Sequence, residues 1–165
     1  MIANELITPT LLNRAEFLES GDYALIVADE RNTDFIIALA QAERYCLASD
    51  EEQRKYYNAN IYASWLGLYK EDLIGAAIIH KILIPQINQY VFTFDAYEVP
   101  TKNRSSSVEF GKLIMVWADK KEINPLWTAH DIRNRAATIA CLKLGFKKIV
   151  EVQDKIVMRR QYGHW

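Results

Sequence analysis

The run from Ile61 to Val99 leaves this chain the fewest options. Ile61–Tyr69 is apolar and aromatic, Leu73–Leu83 carries Ile74, Ile78, Ile79, Ile82 and Leu83, and Gln89–Val99 places Tyr90, Phe92 and Phe94 on one side. Lys70–Glu71–Asp72 and Pro85–Gln86–Ile87–Asn88 are short, polar and rich in turn formers. Strands joined so tightly pair with their sequential neighbours running the opposite way, so this run predicts an antiparallel meander.

The flanking segments alternate between the two periods of secondary structure. Thr10–Ser20 reads as a short helix, with Leu11, Leu12, Ala15 and Leu18 on one face and Gly21 as its stop. Tyr23–Ala28 reads as a strand. A helix over Phe35–Leu47 follows, capped from Asn32–Thr33–Asp34, then a more polar helix over Glu51–Tyr57. Beyond the meander come a helix over Ser105–Lys121, a strand over Ile123–Ala129, and strands Lys147–Val152 and Lys155–Arg159 turning at Gln153–Asp154. Helices, a meander, then βαβ and a terminal hairpin predict an α+β fold with a mixed, mostly antiparallel central sheet flanked by helices.

Length and charge narrow the class. A chain of 165 residues fits one domain and buries about two-thirds of its unfolded surface. A net charge of −1, with acids and bases interspersed, argues against a nucleic-acid partner. No apolar run approaches the roughly 20 residues that cross a bilayer. Met1–Ile2–Ala3–Asn4–Glu5 lacks the positive start of a secretory leader, so a cytoplasmic setting is expected. Cys46 and Cys141 have no metal-ligand spacing, and Cys46 reads as a small buried hydrophobe.

The stretch Asn134–Phe146 is a helix with a defined start and stop. Asn134 caps the first turn, Arg135–Leu144 holds no Gly or Pro, and Gly145 is suited to the left-handed residue that ends a helix. Ala137, Ala140, Cys141 and Leu144 share one face, made largely of small side chains that let the helix lie close to a sheet or ligand. Asn134, Ala137, Lys143, Gly145 and Phe146 match in register the late motif of the GNAT superfamily of N-acetyltransferases, and the chain resembles that family from about Tyr23 to its end. Residues 1–22 would then be an N-terminal helical extension, and 23–165 a single acyl-CoA N-acyltransferase (GNAT-like) domain. Asp72–Leu73–Ile74–Gly75–Ala76 also resembles the family's meander.

The resemblance implies acetyl-CoA as co-substrate. In the family its pyrophosphate sits on a glycine-bearing helix start after the central strand, where unpaired N–H groups and the positive dipole end face the anion. Here Val99–Glu109 occupies that place, with Val99 and Arg104 at the family's spacing, Ser107 at the first glycine position and Glu109 at the second. The implied cofactor-binding set is Val99, Thr101, Arg104, Ser105, Ser106, Ser107, Val108, Asn134 and Ala137. Serine replaces glycine with a small side chain and an extra donor, but Glu109 brings negative charge into the first turn. The family's central strand also splays from its neighbour, here Ile123–Ala129, freeing backbone groups for the pantetheine amides. Pro125, which cannot donate to a ladder, fits such a parting or an edge strand.

Acyl transfer to an amine needs a proton acceptor and a polarised thioester carbonyl. Candidate bases are Asp95 and Glu98 near the end of the central strand, and His130 before the late helix. The family's tyrosine acid falls on Cys141, whose unperturbed pKa is about 8.5. The expected activity is direct acetyl transfer from acetyl-CoA to the amine of a small molecule or protein. The degenerate glycine motif keeps open a GNAT-fold binding or structural protein without catalysis. A base-modifying enzyme acting on nucleic acid would need a basic face, for which Lys143, Lys147, Lys148, Arg159 and Arg160 are the candidates. No metal site is expected. Aromatic residues Tyr162 and Trp165 suggest a dock for a second copy.

Overall fold

A computed structural model of the protein describes residues 13–99 and 106–161. Eight strands form one sheet in the order β1 (Leu18–Ser20), β2 (Tyr23–Val27), β3 (Ile61–Tyr69), β4 (Asp72–Ile84), β5 (Gln89–Glu98), β6 (Leu126–Asp131), β8 (Lys155–Arg160) and β7 (Lys147–Val152). All neighbours are antiparallel except β5 and β6. The helices are α1 (Thr33–Gln41), α2 (Asp50–Asn60), α3 (Ser106–Lys120) and α4 (Arg135–Lys143). The meander is thus observed, and the fold class is the mixed, mostly antiparallel sheet flanked by helices.

Helices cover both faces of the centre, which explains why β3 and β4 read as continuous apolar runs rather than alternating ones. On one face Trp65, Ala77, Ile79 and Phe94 pack with Phe110 and Ile114 of α3 and with Cys141 and Leu144 at α4. On the other, Leu66, Ala76 and Ile78 pack with Ile36, Ile37 and Leu39 of α1 and Tyr57 of α2. Gly67 and Gly75 are cross-strand partners. A Cβ on Gly67 would lie 2.5 Å from the Phe110 ring, and one on Gly75 2.5 Å from the Tyr97 carbonyl oxygen. Their bare backbone lets α3 settle against the sheet.

Several expectations are corrected. Of the helix expected over Thr10–Ser20, residues 10–12 lie outside the described residues; Asn13–Ser20 is not helical, and Leu18–Ser20 pairs with β2 as β1. The local fixing comes from Asn13, whose amide donates to the Ala28 and Ser64 carbonyls while its oxygen accepts from the N–H of Ser64. The helix expected over Phe35–Leu47 ends at Gln41. Gln41 turns its side chain onto the Ala48 carbonyl and Glu43 accepts the Tyr45 N–H, so local side-chain bonds replace helical ones and Leu47 is left exposed. Cys46 is half-buried and accepts from the Gln53 amide at 3.3 Å.

Arg160 does not belong to a basic surface. It is 2 % exposed and forms a bidentate pair with Asp119 of α3 at 2.8 and 2.9 Å. Its Nε donates to the Leu144 carbonyl at the end of α4, at 2.9 Å. No helix among the described residues is long and apolar enough to cross a membrane.

Candidate functional site

The parallel pair β5–β6 is joined at only two positions, Phe92↔Leu126 and Thr93↔Trp127. Beyond them β5 continues to Glu98, still paired with β4, and β6 continues to Asp131, still paired with β8. The two strands therefore part in mid-sheet. Every second residue of 94–98 turns its N–H and C=O toward the gap, away from β4. The surviving pairs sit next to Pro125, and the parting begins beyond Trp127, on the side away from the proline. The proline therefore does not cause it.

The amino ends of α3 and α4 flank this gap. At α4, Asn134 caps the helix by accepting the Ala137 N–H at 3.1 Å. Its amide donates to Glu43 Oε1 at 3.2 Å, tying the 42–49 loop across the gap. Arg133 adds a second tie, its guanidinium stacking 4.6 Å from the Tyr45 ring while it pairs with Asp131 at 2.9 Å. Asp131 is held well below the usual carboxylate range by that guanidinium.

At α3 an anion is already present. Glu98, the last residue of β5, accepts the Ser107 N–H on Oε2 at 3.2 Å. Burial raises the Glu98 carboxyl and this hydrogen bond lowers it, burial being the larger effect. Glu109 instead turns sideways to Lys112, 3.4 Å away, and does not seal the helix start. The N–H of Val99 donates to the Ile74 carbonyl at 2.7 Å, extending the β4–β5 ladder, so it is not free for a cofactor. Ser106 is buried, and Val108 packs partly buried against the α3 side of the core. Thr101, Arg104 and Ser105 lie outside the described residues, as do Tyr162 and Trp165.

The four candidate acid–base residues are not brought together as one cluster. Glu98 belongs to the α3 start. Asp95 lies on the opposite face of β5, in the part of the strand freed from β6, where burial pushes its carboxyl up to about 6. His130, on β6 across the gap, shares a 2.7 Å hydrogen bond between Nε2 and the Thr138 hydroxyl of α4. Burial, with Lys155 nearby, lowers its pKa. Cys141 is buried, and burial followed by the Asp95 charge pushes its thiol up to about 12. It is therefore a protonated thiol at neutral pH and not a nucleophile.

One residue of this region was missed from the sequence. His80 on β4 is 3 % exposed, with Nδ1 3.8 Å from Asp95 Oδ2. Its ring lies on Tyr56 at 4.6 Å and edge-on to Tyr57 at 6.4 Å. Burial pushes its pKa down to about 4, so the ring is neutral. The available signal was a lone histidine in Ala76–Ala77–Ile78–Ile79–His80, among side chains that offer no polar partner.

A CoA-type ligand fits the gap better than it fits the α3 start. Backbone groups unpaired by a neighbouring strand suit the successive amides of a pantetheine arm, whereas the Ser107 N–H would have to exchange Glu98 for a phosphate oxygen. Among the described residues no group of His, Cys, Asp and Glu is placed to hold a metal.

Neither a family model nor a curated relative matches the sequence. Solved structures do match. A GNAT-family acetyltransferase from Bacillus anthracis superposes with a TM-score of 0.66 at 11% identity, over 88% of this chain and 98% of its own. RimL, a ribosomal L7/L12 alpha-N-protein acetyltransferase in complex with coenzyme A, gives 0.67 at 13% identity, over 89% and 98%. FdhC, a nucleotide-linked sugar GNAT, gives 0.65 at 16% identity, over 88% and 90%. With β5 and β6 parting above the capped start of α4, and with these likenesses along nearly the whole of each chain, the protein has the fold of the GNAT acetyltransferases.

Proposed function

We propose that this chain is an acyl-CoA-dependent N-acyltransferase, moving an acetyl group from acetyl-CoA to the amine of a small molecule or protein. The observation that carries the reading is the parting of β5 from β6 after Thr93 and Trp127. It leaves donors and acceptors on one strand edge inside the sheet, where an unpaired backbone otherwise costs free energy. A solved neighbour of this fold holds coenzyme A, which supports the same class of co-substrate here.

Acetyl-CoA supplies an activated acyl group as a thioester. The chain's own residues have three tasks. A gap-facing N–H of 94–98 polarises the acyl carbonyl as an oxyanion donor. Asp95, ionised above about pH 6, takes the proton of the incoming ammonium. The Cys141 thiol, kept protonated by burial on α4 near Asp95, bounds the site as a neutral group, and the leaving thiolate takes its proton from solvent. Binding falls to Ser106, Ser107, Asn134 and Ala137, with Thr101, Arg104 and Ser105 of the sequence before α3 contributing. Residues 23–165 act as the transferase domain, and a cytoplasmic setting, where acyl-CoA is found, accompanies this reading.

A second reading has its own support. Glu98 on the Ser107 N–H and Glu43 on the Asn134 amide satisfy two ligand-facing donors internally, as expected of a GNAT-fold module that no longer turns over. Calorimetric titration with acetyl-CoA and desulfo-CoA separates the two. Micromolar binding, weakened about tenfold or more by Arg104→Glu as a charge-assisted phosphate contact is lost, supports the transferase. Absence of binding at millimolar concentration overturns it.

A further inference from the structure

The buried imidazole of His80 has no hydrogen-bond partner on either ring nitrogen. A neutral imidazole always carries one N–H, and burying that donor unmet is costly, so such a group needs a reason to be there. The acceptor within reach is the Asp95 carboxylate, 3.8 Å from Nδ1. That separation is longer than a hydrogen bond, and a side-chain rotation closing it by about 1 Å makes one. Tyr56 and Tyr57 hold the ring from α2, and these two, His80 and Tyr97 line a cavity of about 20 Å³ between α2 and the sheet.

We propose that His80 is a positioning residue for Asp95: in its Nδ1–H form it donates to the carboxylate, holding it ionised and turned toward the gap. The inference rests on the transferase reading and names the group that prepares its base. In the step served, an ammonium N–H bond of the acceptor breaks as an O–H bond forms on Asp95. The freed nitrogen lone pair is then available to the acyl carbonyl. His80 keeps its own proton throughout.

The groups facing the pair favour this arrangement. On α2 and β5 the phenols of Tyr56, Tyr57 and Tyr97 are all raised by burial and stay neutral. On α4 the Cys141 thiol is neutral, and in the 42–49 loop Glu43 and Cys46 lie near Tyr97, Glu43 adding negative charge. No cation is among these groups, so the imidazole N–H is what stabilises the Asp95 charge. The same balance suits a positively charged acceptor amine.

The test uses the full chain labelled with ¹⁵N in its histidine rings. His80 is expected in the Nδ1–H form from pH 5 to 8, with a step in its ring shifts near pH 6 as Asp95 titrates, and Asp95→Asn removes that step. An Nε2–H ring, or a step unchanged in Asp95→Asn, overturns the proposal. Thiol release from acetyl-CoA with spermidine, tyramine and an alanyl peptide amide gives the second readout. His80→Phe is expected to lower kcat about tenfold and to move the acid limb of its pH profile up by about one unit, with KM for acetyl-CoA unchanged. His80→Gln, which keeps an N–H donor, is expected to restore the limb. A loss shared equally by both variants with no movement of the limb marks a structural role and overturns the proposal. Failure of the unaltered protein to bind acetyl-CoA sinks the transferase reading itself. Binding and turnover with an unmoved limb sink only the role of His80.

Discussion

The Glu98 carboxylate lies 3.2 Å from the backbone nitrogen of Ser107, joining the end of β5 to the first turn of α3 with a bond that a bound phosphate oxygen would replace. A helix start attracts negative charge, and here the chain supplies it. Glu98→Ala is therefore expected to lower stability by about 1 kcal/mol, the usual size of a lost helix-start interaction, while tightening CoA several-fold. Urea denaturation and calorimetry read the two effects. A variant that loses both stability and CoA affinity would show that Glu98 supports the site and does not compete for it.

His80 and Asp95 oppose each other in acid. The folded pKa of His80 is lowered from 6.5 to about 4, so the unfolded chain binds more protons there, and this contribution to stability is lost as pH falls from 6.5 to 4. The folded pKa of Asp95 is raised from 3.8 to about 6, so its contribution is present at low pH and lost as pH rises from 3.8 to 6. The slopes cancel over about pH 4–6. Asp95→Asn is expected to stabilise the protein at pH 8, on the order of 2 kcal/mol after allowing for partial solvent access, and to leave acid lability between pH 6.5 and 4. His80→Gln is expected to leave the opposite slope. Denaturant midpoints measured each half unit of pH decide it, and parallel curves for all three proteins would refute the opposition.

Arg160 and Asp119 form the most buried ion pair among those described, with side chains 2 % and 16 % exposed. Removing one partner leaves the other charge without compensation, so Asp119→Ala is expected to cost about 3–5 kcal/mol. Joint replacement by Asp119→Leu and Arg160→Met is expected to recover much of that loss. Thermal unfolding of the single and double variants checks it.

The two bonds of Asn134 can be separated. Asn134→Ala loses the cap on Ala137 and is expected to cost about 1 kcal/mol, whereas Asn134→Ser keeps an oxygen for the cap and is expected to cost less than about 0.5 kcal/mol. Both lose the donor to Glu43. Faster amide exchange over residues 43–48 in both variants, with α4 destabilised only in the alanine variant, is the expected pattern.

What could be read in advance follows from how local each determinant is. β3 and β7 fall within their expected bounds because short polar turns and β-rich runs fix them locally. Asn134 and Gly145 likewise mark α4 through neighbours only a few residues away. The expected helix over Thr10–Ser20 misled because the spacing of Leu11, Leu12, Ala15 and Leu18 suits a helix, while the pairing of Leu18–Ser20 with β2 and the bonds from Asn13 are tertiary. The end of α1 at Gln41 rests on side-chain bonds that helical periodicity does not register. The place of Asn134 at the start of α4 and of Asp95 on β5 was legible from motif and strand position. Glu98 on Ser107, Glu43 on Asn134 and His80 beside Asp95 were not, because each pairing joins separate elements.

The Arg160 guanidinium has a mechanical consequence. One side chain joins the last strand, the C-terminal end of α3 and the tail of α4 at a single buried point, which cross-braces the β8 side of the gap. Opposite it, β5 is held by its ladder with β4 and residues 42–49 by the Glu43 bond to Asn134, so widening of the gap is expected to break that bond first.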